Sequence, residues 1–146
     1  MDMEQIIETY DVKETVEIGR KLGKAAKAGE VYCLLGDLGA GKTAFTGGFA
    51  SGLGIEEPVT SPTFTILMVY EGGRLVLNHF DVYRIEDPEE MEEIGFDEII
   101  NGDGVSLIEW ANQIEELIPE DAIRITIERD PEKGFDYRKI TIRKFD

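Results

Sequence analysis

The chain has 146 residues, with 31 acidic against 15 basic side chains and a formal net charge of −16. That length suits one domain with one site, residues 1–146, and that charge repels a phosphate backbone, so any nucleic acid is expected to be gripped by another protein. Apolar runs fall short of the roughly 18 residues that span a bilayer, the N-terminus "MDMEQIIETYDVKETV" is acidic where a signal peptide is basic, and the one cysteine, Cys33, cannot make an intrachain disulfide, so the expectation is a cytoplasmic protein with no membrane partner.

In chain order, "DVKETVEIGRKLGKAAKAG" predicts a helix: Asp11 followed three residues later by Glu14 is a capping-box pattern, and Gly29 is the expected stop. On that helix Lys13, Arg20, Lys24 and Lys27 fall on one face, opposite Val12, Ile18, Leu22 and Ala26, a basic stripe suited to an acidic patch of a partner or a nearby nucleic-acid phosphate. "EVYCLL" reads as a short buried strand in which Cys33 serves as a small hydrophobe, and "TAFTGGFASGLG" as a helix weakened by Gly47 and Gly48. After the loop "EPVTSPTF", punctuated by Pro58 and Pro62, "TILMVYE" and "RLVLNHFDVYR" form a hairpin that turns at Gly72 and Gly73. "DPEEMEEIG" and "FDEIIN" are short acidic helices, "VSLIEW" is a buried strand, "ANQIEELI" is a helix, and "AIRITIER" and "YRKITIRKF" are two alternating strands around "DPEKGFD". The expected class is α/β with some antiparallel pairing.

Gly36, Gly41, Lys42 and Thr43 satisfy G-x-x-x-x-G-K-[ST] between a predicted strand and a predicted helix, the context in which that pattern cradles nucleotide phosphates. Glycines let backbone N–H groups turn inward around phosphate oxygens, and a helix N-terminus adds partial positive charge. Lys42 supplies a point charge for the β- and γ-phosphates, and the Thr43 hydroxyl is a hard-oxygen ligand for Mg²⁺. Such a site needs an acid at the end of a neighbouring strand, and two candidates fit: Glu109 after "VSLI" and Asp81 after "VLNHF". They can divide the labour, one near the metal and the other placing or activating water. His79, the one histidine, shares a strand face with Asp81 and reads by default as a hydrogen-bonded structural residue, and Trp110 as a core residue next to the site.

The four segments "GDLGAGKT", "SPTF", "HFDVYR" and "IEW", in this order and spacing, resemble the TsaE family, the P-loop ATPases of bacterial tRNA threonylcarbamoyladenosine synthesis. The resemblance implies a three-layer P-loop NTPase fold, with a mixed, mostly parallel central sheet, a β-hairpin and helices on both faces. It implies a nucleotide loop running from Gly36 and Asp37 through Leu38, Gly39, Ala40 and Gly41 to Lys42 and Thr43, with Thr43 and Glu109 placing Mg²⁺ and Asp81 close by. It further implies a switch-like "VTSPTF", for which Thr60, Ser61 and Thr63 offer hydroxyls and Pro62 stiffness, nucleotide contact from Arg138, and base contacts near Asp11 and Val12. By that resemblance the chain hydrolyses ATP to ADP and phosphate in support of threonylcarbamoyl transfer to adenosine 37 of tRNA by the partners TsaD and TsaB; with only Arg84 as an internal arginine-finger candidate, the chain alone is expected to be slow. The chain departs from the common pattern at Ala44 and Ala111, neither of which carries the proposed chemistry. A GTPase is disfavoured because neither N-K-x-D nor D-x-x-G occurs. A small-molecule kinase shares the loop but brings an arginine-rich lid, whereas only Arg84 lies near a motif here; a nucleotide-sensing module that does not depend on hydrolysis is the other alternative.

Overall fold

In a computed structural model that describes residues 3–36, 40–60 and 66–145, seven strands form one sheet: β1 (Met3–Thr9), β2 (Val31–Leu35), β3 (Leu67–Tyr70), β4 (Leu77–Asp81), β5 (Val105–Glu109), β6 (Ile123–Arg129) and β7 (Arg138–Lys144). Their order is β1-β7-β6-β2-β5-β4-β3. The central block of β6, β2, β5 and β4 is parallel, while β3, β7 and β1 add antiparallel pairs at its flanks. Every parallel strand therefore delivers its carboxyl end to one edge of the sheet, the edge where ligands bind in open α/β folds.

Alternation along the strands builds a core on each face. Tyr32 and Leu34 of β2 and Leu107 of β5 pack with Phe45 and Phe49 beneath the helices α1 (Val12–Ala25) and α2 (Lys42–Gly52). Val31 and Cys33 of β2, Phe80 of β4 and Ile108 of β5 pack on the opposite face against Met91 of α3 (Glu90–Glu93), Phe96 and Ile100 of α4 (Phe96–Ile100), and Ile114. Cys33 is fully buried there, and burial pushes its thiol up to about 12, so it behaves as an inert small hydrophobe. The predicted hairpin and the two short acidic helices are all present, and the three layers follow from helices covering both faces.

The structure corrects four local expectations. Residues Met3–Thr9, to which the sequence reading assigned no element, form an edge strand paired with β7; most of that strand is exposed, so it carries little buried alternation to read. The first helix stops at Ala25, because Arg74 Nη2 donates to the carbonyls of Gly23, Lys24 and Ala26 at 2.8, 3.1 and 2.9 Å and so satisfies its C-terminal acceptors. Gly29, at φ +86°, serves instead the turn into β2. Residues Ala111–Leu117 form a 3-10 segment broken at Ile114 (φ −129°, ψ 36°) rather than a regular helix. Finally, the basic stripe is interrupted: Lys27 lies beyond the helix end, Arg20 Nε donates to Glu17 Oε2 at 2.8 Å, and Val12, placed on the apolar side, is exposed.

The α1–α2 contact is made backbone to backbone. A Cβ at Gly19, Gly23, Gly48 or Gly52 would lie 2.3, 2.1, 2.1 and 2.2 Å from the carbonyl oxygens of Phe45, Phe49, Val16 and Arg20, respectively. Gly19 and Gly23, like Gly48 and Gly52, are four residues apart and therefore lie on one helix face. Gly47, the neighbour of Gly48, faces open space.

Candidate functional site

The end of β2 runs into Gly36 (φ +147°), whose place a side chain could not take, since a Cβ would lie 2.6 Å from the Ile127 carbonyl oxygen. Gly41, in the left-handed region at φ +96°, is the N-cap of α2, and as a glycine it leaves the first turn without a side-chain cap. A helix N-terminus with uncapped N–H groups is the arrangement that receives an anion. Lys42, the first residue of α2, is buried; its Nζ donates to the Gly36 carbonyl at 2.8 Å and sits 3.9 Å from the centre of the Trp110 ring. Thr43 is exposed at the same helix start. Asp37, Leu38 and Gly39 lie outside the described residues, as do Ser61, Pro62 and Thr63 of the expected switch loop. At the near end of that loop, Thr60 N–H reaches the Tyr70 hydroxyl at 3.4 Å.

The two candidate acids meet. In the parallel β4–β5 pair Asp81 stands in register with Glu109, both at strand carboxyl ends and both on the face covered by α2. Glu109 is 4% exposed, and its Oε2 lies 2.7 Å from Nε2 of His79, itself 1% exposed. Asp81 is half-buried and accepts a hydrogen bond from Tyr83 N–H at 3.1 Å. Burial pushes its carboxyl above the usual aspartate value; the charge of Glu109 adds to this, and the Tyr83 N–H opposes it.

On the other side of the loop, Arg138 Nε donates to the Ala40 carbonyl at 2.8 Å, and its Nη1 donates to the carbonyls of Phe135 and Tyr137. Arg138 is in register with Thr9 on β1 and Arg129 on β6, so the end of β1, and Asp11 just after it, arrive at the same edge of the sheet. Asp11 is engaged as the N-cap of α1, where its side chain accepts from Glu14 N–H at 2.8 Å while the Glu14 carboxylate accepts from Tyr10 N–H. A cavity of about 390 Å³ opens beside the loop between Gly36, Ala40, Glu128, Arg129 and Pro131.

A sequence model of the family described as "Threonylcarbamoyl adenosine biosynthesis protein TsaE" matches residues 9–140. The chain belongs to the TsaE family. It is 51% identical over 133 residues to the tRNA threonylcarbamoyladenosine biosynthesis protein TsaE of Bacillus subtilis (strain 168), covering 91% of this chain and 81% of that one. It is 44% identical over 115 residues to the TsaE protein of Treponema pallidum (strain Nichols), covering 79% and 84%. The crystal structure of Bacillus subtilis YdiB matches the fold with a TM-score of 0.82 at 42% identity, covering 100% of this chain and 88% of that chain.

Two features of this TsaE-family site are not legible in the sequence. Trp110 adopts φ 62° and ψ 33°, the one positive φ at a non-glycine among the described residues, and an uncommon conformation for so bulky a side chain. That turn lays the indole over Lys42 Nζ and 4.7 Å from the Tyr83 ring, so the residue after Glu109 also touches the loop lysine. The second is the His79–Glu109 contact, for which the strand alternation of His79 and Asp81 was the available signal but the pairing partner was not. Among the described residues no three His, Cys, Asp or Glu side chains gather as a metal cluster. A hydroxyl and one or two carboxylates do fit Mg²⁺, which takes few protein oxygens and completes its shell with phosphates and water. No helix among the described residues is long and apolar enough to cross a membrane.

Proposed function

We propose that the chain is an ATPase that binds Mg²⁺·ATP at the loop from Gly36 to Thr43, hydrolyses it to ADP and phosphate, and thereby supports formation of threonylcarbamoyladenosine at position 37 of tRNA by the TsaD and TsaB proteins. The observation that carries this reading is that β4, β5 and the loop-to-α2 junction bring Asp81, Glu109 and Lys42 to one edge of the sheet. Family membership supports the pathway, since the relatives are named for threonylcarbamoyladenosine biosynthesis.

In this reading Gly36, Asp37, Leu38, Gly39, Ala40 and Gly41 offer backbone N–H groups to the phosphates, and Lys42 supplies the charge that the β- and γ-phosphates require. Thr43 and Glu109 hold Mg²⁺, which when bound neutralises charge developing on the transferred phosphoryl group. Asp81, whose carboxyl is raised above the ordinary aspartate value by burial, is in its ionised form a stronger base than a surface aspartate for the proton of the attacking water. Arg138 braces the loop through the Ala40 carbonyl, and the nucleoside lies toward Asp11 and the cavity between the loop and β6.

P-loop enzymes without an arginine finger are slow, and one supplied in trans is worth about 10³ to 10⁵ in rate. Phosphate release should therefore be weak for the chain alone and rise when TsaD and TsaB are added, and Glu109→Gln should bind ATP yet lose the rise. Absence of phosphate release under all of these conditions overturns the hydrolytic reading. Unchanged tRNA nucleoside composition in cells carrying only Glu109→Gln overturns the need for hydrolysis in the pathway.

A further inference from the structure

His79 is the one histidine of the chain and is buried on β4, with Nε2 2.7 Å from Glu109 Oε2. Its other nitrogen, Nδ1, is buried without a hydrogen-bond partner among the described residues. A stranded N–H in a protein interior is rarer and costlier than a stranded lone pair, so the ring proton belongs on Nε2, where it has a carboxylate to meet. That assignment makes the contact directional: Nε2–H donates and Glu109 Oε2 accepts.

A glutamate has three side-chain torsions, and at a strand end nothing in its own element fixes them. Here one oxygen is committed to a ring that is itself immobilised by burial in the neighbouring strand. We infer that His79 is a positioning residue for Glu109: its Nε2–H holds Oε2, fixes the carboxylate plane and leaves Oε1 as the oxygen available to the metal or its water. The inference rests on the reading of Glu109 as a metal-side acid. Partners that orient metal-binding carboxylates typically change metal affinity or activity by about 10- to 100-fold when removed. His79 meets no phosphate or water in this role, so it is not a catalytic residue.

Because the chain has one histidine, protein labelled with ¹⁵N-histidine gives a single imidazole to read. The expected spectrum is the Nε2–H tautomer with an Hε2 proton protected from solvent exchange, and Glu109→Gln should weaken that hydrogen bond and move the proton upfield, since the acceptor loses its charge. An Nδ1–H tautomer, or a rapidly exchanging ring, overturns the assignment without any variant having to fold. The functional arm measures ADP affinity by calorimetry as a function of Mg²⁺. His79→Leu, which removes the donor, should raise the Mg²⁺ concentration for half-maximal effect by about 10- to 100-fold while leaving Mg²⁺-free ADP binding unchanged. His79→Gln, whose amide can place an N–H near the Nε2 position, should recover most of that loss. Adding His79→Leu to Glu109→Gln should change the Mg²⁺ dependence by less than about twofold, because the group being positioned is already altered. If Glu109→Gln itself leaves the Mg²⁺ dependence untouched, the metal-side reading of Glu109 fails. If Glu109→Gln shifts it and His79→Leu does not, the metal-side reading stands and the role given to His79 fails.

Discussion

Gly47 and Gly48 are adjacent in α2, chemically identical, and expected to respond to alanine with opposite sign. At Gly47 a Cβ meets nothing within 4 Å, so Gly47→Ala should keep the native packing and gain helix propensity, about 0.5–1 kcal/mol. At Gly48 the same propensity gain is opposed by a Cβ that would sit 2.1 Å from the Val16 carbonyl oxygen and 3.2 Å from Arg20 N. Both neighbours are backbone, so no side chain can swing away; the helices must part by roughly an ångström, which costs about 1–3 kcal/mol as overpacking. Parting them also loosens Phe45 and Phe49, which fill the core beneath both helices. The net expectation is about 1–2 kcal/mol lost for Gly48→Ala against up to about 1 kcal/mol gained for Gly47→Ala. At about 2–4 °C per kcal/mol for a chain near this length, the two midpoints should separate by roughly 3–12 °C. Urea and thermal unfolding followed by far-ultraviolet circular dichroism measure both. Shifts of the same sign and similar size would refute the claim that backbone contact, rather than propensity, decides these positions.

Lys42→Ala should abolish tight ATP binding, and because Lys42 Nζ lies 3.9 Å from the Trp110 ring centre, it should also change the fluorescence of the single tryptophan before any nucleotide is added. In the unsubstituted chain the same fluorescence should change on saturation with Mg²⁺·ATP; a flat titration with ATP bound would place the phosphates away from Lys42 and Trp110. Asp81, whose folded value lies above its ordinary one because of burial, favours the protonated native form, so its charge opposes folding at neutral pH, and this opposition is relieved as pH falls through the raised value toward the ordinary 3.8. Asp81→Asn, which keeps an oxygen for the Tyr83 N–H, should therefore resist urea better than the unsubstituted chain at neutral pH, with the gap closing as pH falls; a gap that widens on acidification contradicts the sign. Arg138→Ala removes the donor that holds the Ala40 carbonyl and should lower ATP affinity about tenfold, roughly 1.4 kcal/mol, in a direct binding measurement; unchanged affinity would make Arg138 a brace of the β6–β7 connection alone.

The elements that could be read in advance are those whose signal is local. "EVYCLL", "VSLIEW" and "AIRITIER" announce strands because buried β-branched and aromatic residues cluster within one strand length, and the structure finds β2, β5 and β6 there. β1 could not be read this way: its pairing partner lies at the far end of the chain, and only its last residue, Thr9, is buried. The end of the first helix is illegible for a similar reason, since Arg74 is about fifty residues further along the sequence than the carbonyls it satisfies. In the sequence Gly48, with Gly47, reads only as a weakness of α2, and Gly19, Gly23 and Gly52 carry no reading of their own. Their use appears once two helices are seen together, because a missing Cβ is a cost within one helix and a contact surface between two.

The same division runs through the site. The loop pattern is contiguous, so Gly36, Gly41, Lys42 and Thr43 stand out in the sequence, whereas Asp81 and Glu109 pair there only by what such a site needs, because nothing in either strand says that β4 lies beside β5 with these two residues in register. Register is what brings the pair together. The two carboxylates sit in unlike environments: Glu109 is buried against a histidine, while Asp81 is half-buried, accepts one backbone N–H and is raised above the ordinary aspartate value by burial. The partners that create the difference, His79 and Tyr83, flank Asp81 at two residues on either side in the single segment "HFDVY". One short segment therefore carries Asp81, the hydrogen-bond partner of Glu109, and the ring tilted against Trp110. A shift of β4 by one residue against β5 would turn His79 and Asp81 to the opposite face of the sheet, away from Glu109 and Lys42.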